Sequence, residues 1–198
     1  MNLSIHYPHK PYIITQRWGN PNPAYANQFN DPSFKLHNGT DAVGKMTTLS
    51  DGVLRAEHPV YCPVDGFTVE RVQYRPEGGG NEIWLISDKP FQMFERECFV
   101  YLVICHAKKI LVKPGDKPAL GELIMIADST GFSTGLHTHM GLYRVSYENG
   151  RITYLDKNEA TGSFDPSLFF TGVYAVDKAT TGTLVKSGLR YFKYLVTP

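Results

Sequence analysis

Glycine and proline interrupt this chain at short intervals from end to end, and that punctuation limits its fold more than any other feature. The 18 Gly and 13 Pro are spread over 198 residues, and the segments between them are rich in Val, Ile, Tyr, Phe and Thr, which suit a pleated surface. The pattern predicts strands at Tyr12–Trp18, Thr68–Tyr74, Glu82–Ser87, Phe99–Cys105, Leu123–Ala127 and His137–Val145. No stretch keeps an apolar 3.6-residue repeat long enough for a long helix. The expected class is therefore all-β, with a mostly antiparallel sheet core. Pro76-Glu77-Gly78-Gly79-Gly80-Asn81 reads as the hairpin loop between the second and third strands, because glycine reaches positive φ without strain. Residues 19–36 and 128–136 form longer irregular stretches, the kind that carry function in a compact domain.

A composition of 42% hydrophobic and 20% charged residues is that of a globular domain. A chain this long buries roughly 70% of its extended surface and needs no disulfide or metal to hold a core. One domain is expected over residues 1–174, followed by a basic aromatic tail or edge strand at 175–198. That tail carries Lys178, Lys186, Arg190 and Lys193 among Tyr191, Phe192 and Tyr194. A formal net charge of +1 gives no long-range field for capturing nucleic acid. The longest purely apolar run, Cys98 to Cys105, is eight residues, against the roughly 20 needed to cross a bilayer. The opening MNLSIHYPHKPYIITQ has neither the basic start nor the apolar run of a secretory signal, so synthesis in the cytoplasm is expected. Cys62, Cys98 and Cys105 are odd in number and lack C-x-x-C spacing, which marks them as core thiols.

The histidines carry the chemistry. In His37-Asn38-Gly39-Thr40-Asp41, Gly39 and the β-branched Thr40 favour a turn over a shared helix face, and a turn can still aim His37 and Asp41 at one point. In His137-Thr138-His139, a strand would put both imidazoles on one face, about 6.6–6.8 Å apart. Thr138, Met140 and Leu142 would face the other way, the two apolar ones into the core. His37, Asp41 and one histidine of the pair make an N, O, N ligand set for zinc, with the fourth tetrahedral position left to water. Two neutral imidazoles and one carboxylate leave such a centre formally +1, a usable Lewis acid that can activate water near neutral pH. The remaining histidine of the pair and His106, which follows the apolar strand, are candidates for moving protons or stabilising an oxyanion.

These motifs, in this order, resemble the lysostaphin-type zinc endopeptidases, the LytM-like peptidoglycan hydrolases, from about Ile13 to Phe170. His37-Asn38-Gly39-Thr40-Asp41 matches the family's H-x-G-x-D, and Cys62-Pro63-Val64-Asp65-Gly66 its P-x-D-G turn. Gly79-Gly80-Asn81 matches its glycine-rich hairpin. His106, Val112-Lys113-Pro114-Gly115-Asp116, Leu120-Gly121 and Asp165-Pro166 follow in place. Ser129-Thr130-Gly131-Phe132-Ser133-Thr134-Gly135-Leu136-His137-Thr138-His139 matches T-G-x-S-T-G-x-H-x-H. The resemblance implies that His37, Asp41 and His139 bind one zinc ion and that His106 and His137 are the catalytic pair. It also implies a loop-walled groove and hydrolysis of peptide cross-bridges in bacterial peptidoglycan. Ile13-Ile14-Thr15-Gln16-Arg17-Trp18-Gly19 resembles the entry strand of phage-borne members, which implies a phage lysin or virion-associated protein acting at the cell wall. Ile104 and Ala107 replace the Tyr and Leu that often flank the family's counterpart of His106, and Thr138 and Met140 replace Leu and Phe.

Two other function classes use some of the same residues. A catalytically idle wall-binding or structural virion module would share the fold, but idle members commonly lose ligands and all five site residues are present here. A lipoyl- or biotin-carrier-like domain is suggested by Val112-Lys113-Pro114-Gly115-Asp116, Gly121-Glu122-Leu123 and Asp177-Lys178-Ala179. In carriers the modified lysine precedes such a segment, whereas Lys178 follows it.

Overall fold

Residues 3–9, 12–28, 30–44, 47–48, 54–55, 58–158 and 160–171 are described by a computed structural model of the protein. The strands are β1 (Ile13–Gln16), β2 (Thr40–Val43), β3 (Thr47–Thr48), β4 (Leu54–Arg55), β5 (His58–Tyr61), β6 (Phe67–Arg75) and β7 (Gly80–Ser87). They continue with β8 (Phe91–Met93), β9 (Arg96–Ile104), β10 (Ala107–Ile110), β11 (Leu123–Ala127), β12 (Thr138–Glu148), β13 (Arg151–Tyr154) and β14 (Ser163–Phe164). One short helix, α1 (Ala24–Gln28), interrupts the irregular stretch 19–36. The main sheet has nine strands ordered β1-β2-β12-β9-β7-β6, with β13 and β14 on β12 and β8 on β9. A second sheet is ordered β10-β11-β5, and β3 pairs with β4. All named pairings are antiparallel, so the chain is β-dominated as its punctuation predicts.

Side-chain alternation along the central strands builds two buried layers. Val100, Leu102 and Ile104 of β9, Ile83 and Leu85 of β7, and Met140 and Leu142 of β12 join Phe67, Val60, Ile124 and Met125 in the principal core. Tyr101, Val103, Cys105, Trp84, Ile86, Tyr143 and Val145 form a second cluster on the opposite face. Both faces are covered, which is why β7 and β9 read as near-continuous apolar runs rather than as alternation. The same parity puts His139 on the face of the second cluster. Register then sets Asp41 of β2 opposite His139 and Ile104 of β9 opposite Met140.

The structure revises several local expectations. Thr40 and Asp41 lie in a strand, not a turn, because pairing with β12 on one side and β1 on the other overrides their local preference. β12 starts at Thr138, one residue after the expected start, and His137 joins only an isolated bridge to Asp128. The short strands β5, β8, β10 and β13 escape the sequence pattern because each has four residues or fewer. Cys62, Cys98 and Cys105 are free and buried, and burial pushes the Cys62 thiol up to about 11 and raises the other two. No helix among the described residues is long and apolar enough to cross a membrane. The expected tail at 175–198, with Lys178, lies outside the described residues.

Candidate metal centre

His37 lies at the end of the 19–36 stretch, its backbone N–H donating to Asn20 O at 2.8 Å and its carbonyl accepting from Gly19 N–H at 2.9 Å. Its Nδ1 is 2.9 Å from Arg17 O. A carbonyl can only accept, so Nδ1 carries the proton and Nε2 of the neutral ring presents a lone pair. That lone pair is 3.1 Å from Asp41 Oδ1 and 3.1 Å from His139 Nδ1. His139 Nδ1 is 2.9 Å from Asp41 Oδ1. One ligand atom from each residue lies within 4.8 Å of the others, and all three residues are buried. Burial pushes the Asp41 carboxyl up, but its two histidine neighbours, His139 and His37, outweigh it and hold it well below the ordinary carboxylate range. Burial lowers His139 against the pull of Asp41. An ionised carboxylate and two imidazoles thus converge on one point, and in the neutral form of His37 a lone pair faces the carboxylate. Facing electron pairs of this kind suit a cation placed between them, and the N, N, O donor set suits a divalent transition metal.

His106 and His137 stand beside this group. The His106 backbone is left-handed at φ +69°, held by its N–H to Gly79 O at 2.7 Å and by Asp128 N–H to its carbonyl at 2.8 Å. His106 Nδ1 donates to Thr130 O at 2.7 Å, and His137 Nδ1 donates to Gly135 O at 2.7 Å. Both Nε2 atoms are left as bases. The rings are 4.5 Å apart between centroids, and His137 Nε2 is 3.6 Å from Asp41 Oδ2. Burial, reinforced by His137 and His139, lowers His106 to about 4, so it is neutral at physiological pH. All five residues singled out in the sequence are therefore gathered at one place.

No family profile matches the chain. A segment of 133 residues, 65% of the chain, is 32% identical to the glycyl-glycine endopeptidase ALE-1 of Staphylococcus capitis and spans 33% of that protein. A segment of 81 residues, 41% of the chain, is 40% identical to an uncharacterized metalloprotease of Haemophilus influenzae and spans 15% of it. The chain therefore matches a third or less of either relative's length. The catalytic domain of lysostaphin from Staphylococcus simulans superposes with a TM-score of 0.52 at 24% identity, over 80% of this chain and 91% of that one, which shows the shared fold. In sequence and in fold the chain is similar to the lysostaphin-type, LytM-like metallopeptidases.

A cleft of about 230 Å³ opens beside His106 and His139 in this LytM-like domain. Trp84, Val103, Cys105 and Tyr143, on the outer face of the main sheet, line it. Asn38, between two of the candidate ligands, ties its walls together. Asn38 Oδ1 accepts from Tyr25 of α1 at 3.0 Å, and Nδ2 donates to Tyr143 at 3.2 Å and to Thr161 at 2.8 Å. On the other side three backbone segments interlock. Phe132 N–H donates to Gly78 O at 2.7 Å, Asn81 N–H donates to Thr130 Oγ1 at 3.1 Å, and Asn81 Nδ2 donates to Ala107 O at 2.8 Å. The glycine-rich hairpin is thus a buttress for His106 and for the 128–136 loop. Beneath it Glu82 is completely buried. Sequence reasoning missed Asn38 and Glu82 as site residues. For Glu82 a signal exists: it is the one carboxylate in the otherwise uncharged run Gly80–Ser87.

Proposed function

We propose that the chain is a zinc-dependent endopeptidase that hydrolyses peptide cross-bridges of bacterial peptidoglycan. The observation that carries this reading is the convergence of three buried ligand atoms with two histidine bases at the edge of one cleft. His37 Nε2, Asp41 and His139 Nδ1 would hold the ion. When bound, zinc supplies Lewis acidity that polarises a carbonyl and makes water nucleophilic near neutral pH. His37 is oriented by Arg17 O, so that its Nε2 faces Asp41 and His139. His106 and His137 take up the proton of the attacking water at Nε2 and return it to the leaving amine. The rings are 4.5 Å apart, and His137 adds to the burial that keeps His106 neutral and able to accept a proton. Once protonated, either histidine can stabilise a developing oxyanion. The names of the relatives, a glycyl-glycine endopeptidase and a metalloprotease, support the substrate class.

The test is metal analysis together with the release of new amino termini from purified peptidoglycan of several wall types. The protein should hold about one zinc. His139→Ala should lose the metal, and His106→Ala should keep it and lose turnover. Metal retained by a protein that cleaves none of these walls would favour the idle wall-binding module instead.

A further inference from the structure

Strand β6 ends at Arg75, whose side chain borders the cleft. Its Nε donates to Glu82 Oε1 at 2.7 Å, and while the Glu82 side chain is wholly buried, that of Arg75 is 46% exposed. The Glu82 carboxylate is filled by further donors: Gly79 N–H at 2.9 Å, Trp84 Nε1 at 2.7 Å and Gln73 Nε2 at 2.9 Å. The arginine is thus clamped through one nitrogen. Its two terminal nitrogens have no hydrogen-bond or ion-pair partner among the described residues.

Among the residues lining the cleft, Arg75 is the one permanent charge, and none is an Asp or Glu. Its guanidinium makes a small contribution against the upward push that burial gives Tyr143 and Tyr154, which line the same cleft. A planar fork fixed at one edge and open at the other matches the two oxygens of a carboxylate. The anchor has already removed much of the side chain's freedom, so less is lost when a ligand is bound. We propose that Arg75 is a specificity residue that binds a carboxylate of the peptide lying in the cleft, so that peptides with that carboxylate free are preferred over their carboxamides. The inference rests on the endopeptidase reading for its substrate class.

Binding, rather than cleavage, separates the two. The zinc-loaded protein is titrated by calorimetry with a soluble peptidoglycan stem pentapeptide and with counterparts in which each carboxylate in turn is a carboxamide. One of these amides should bind about tenfold more weakly, the size of a charge-assisted contact. Arg75→Gln should bind that acid and amide equally, and Arg75→Lys should restore part of the difference. Zinc content and circular dichroism would verify that the variants are intact. Equal binding of acid and amides by the wild type, including no measurable binding of any, overturns the assignment, as does discrimination that survives in Arg75→Gln. Discrimination by a protein that releases no amino termini from any of the wall types would sink the endopeptidase reading and leave Arg75 in place, whereas release without discrimination would do the reverse.

Discussion

Glu82 holds the backbone of Gly79, whose N–H lies 2.9 Å from Glu82 Oε1, and Gly79 in turn accepts the His106 N–H at 2.7 Å. A catalytic candidate is thus aimed by a carboxylate two links away. Glu82→Leu leaves the buried Gly79 N–H and the Trp84 indole N–H without acceptors, at a cost of about 1–3 kcal/mol each. A lower urea midpoint is expected, and turnover at saturating substrate should fall with it. Glu82→Gln keeps an acceptor oxygen and should be milder on both measures.

Two glycines should fail in different ways. A Cβ on Gly39 would meet His139 Cε1 at 2.5 Å and Nε2 at 2.6 Å, so Gly39→Ala should displace a ligand and lose the metal in an equilibrium chelator titration. A Cβ on Gly131 would lie 2.2 Å from Gly80 N, and its φ is +77°. Gly131→Ala should force the 128–136 loop off the hairpin, retaining metal while turnover collapses. Gly135→Ala, with nothing within 4 Å of its Cβ, is the control and should leave metal binding intact.

Acid sensitivity is expected from the back of the same strand. His9 Nε2 lies 2.9 Å from Thr138 Oγ1, and its Nδ1 is 3.2 Å from Pro59 O. Burial, with the neighbouring His58, lowers His9 to about 3, and burial lowers His58 as well. An unfolded histidine titrates near 6.5. The folded protein therefore refuses protons that the unfolded chain accepts below that value. His9 contributes its full stability above about pH 6.5 and loses it as the pH falls towards 3, by up to about 1.4 kcal/mol per pH unit. Urea midpoints of the wild type should drop between pH 7 and 4.5, and His9→Gln should show a shallower drop over the same range.

Much of this was readable in the residues. Val, Ile, Tyr and Phe between breakers located all six predicted strands to within a few residues, since both faces of the central strands are covered and slippage is penalised. The two-residue period placed His137 and His139 together and sent Met140 and Leu142 into the core. What could not be read depends on contacts between distant segments. Asp41 looks like a turn residue until β12 pairs with it. His9 becomes a partner of Thr138 across 129 residues, and Arg75 becomes a cleft residue through Glu82 on the next strand. Local preference carries no trace of such pairings.

Asn38 should separate substrate fit from chemistry. Asn38→Ala removes the link between Tyr25, Tyr143 and Thr161 while leaving His37 and Asp41 in place, so KM should rise several-fold, with kcat reduced less. A fall in kcat at unchanged KM would contradict that role.

The position of Asn38 has a thermodynamic consequence. It is bonded covalently to His37, so the cleft wall and a candidate metal ligand are neighbours in the chain. Two binding events that share a pentapeptide are reciprocal: whatever factor the ion adds to peptide affinity, the peptide must add to retention of the ion. A wall fragment whose affinity the ion raises should, by the same factor, reduce the zinc that a chelator extracts at equilibrium, which turns substrate preference into something measurable without any bond being broken.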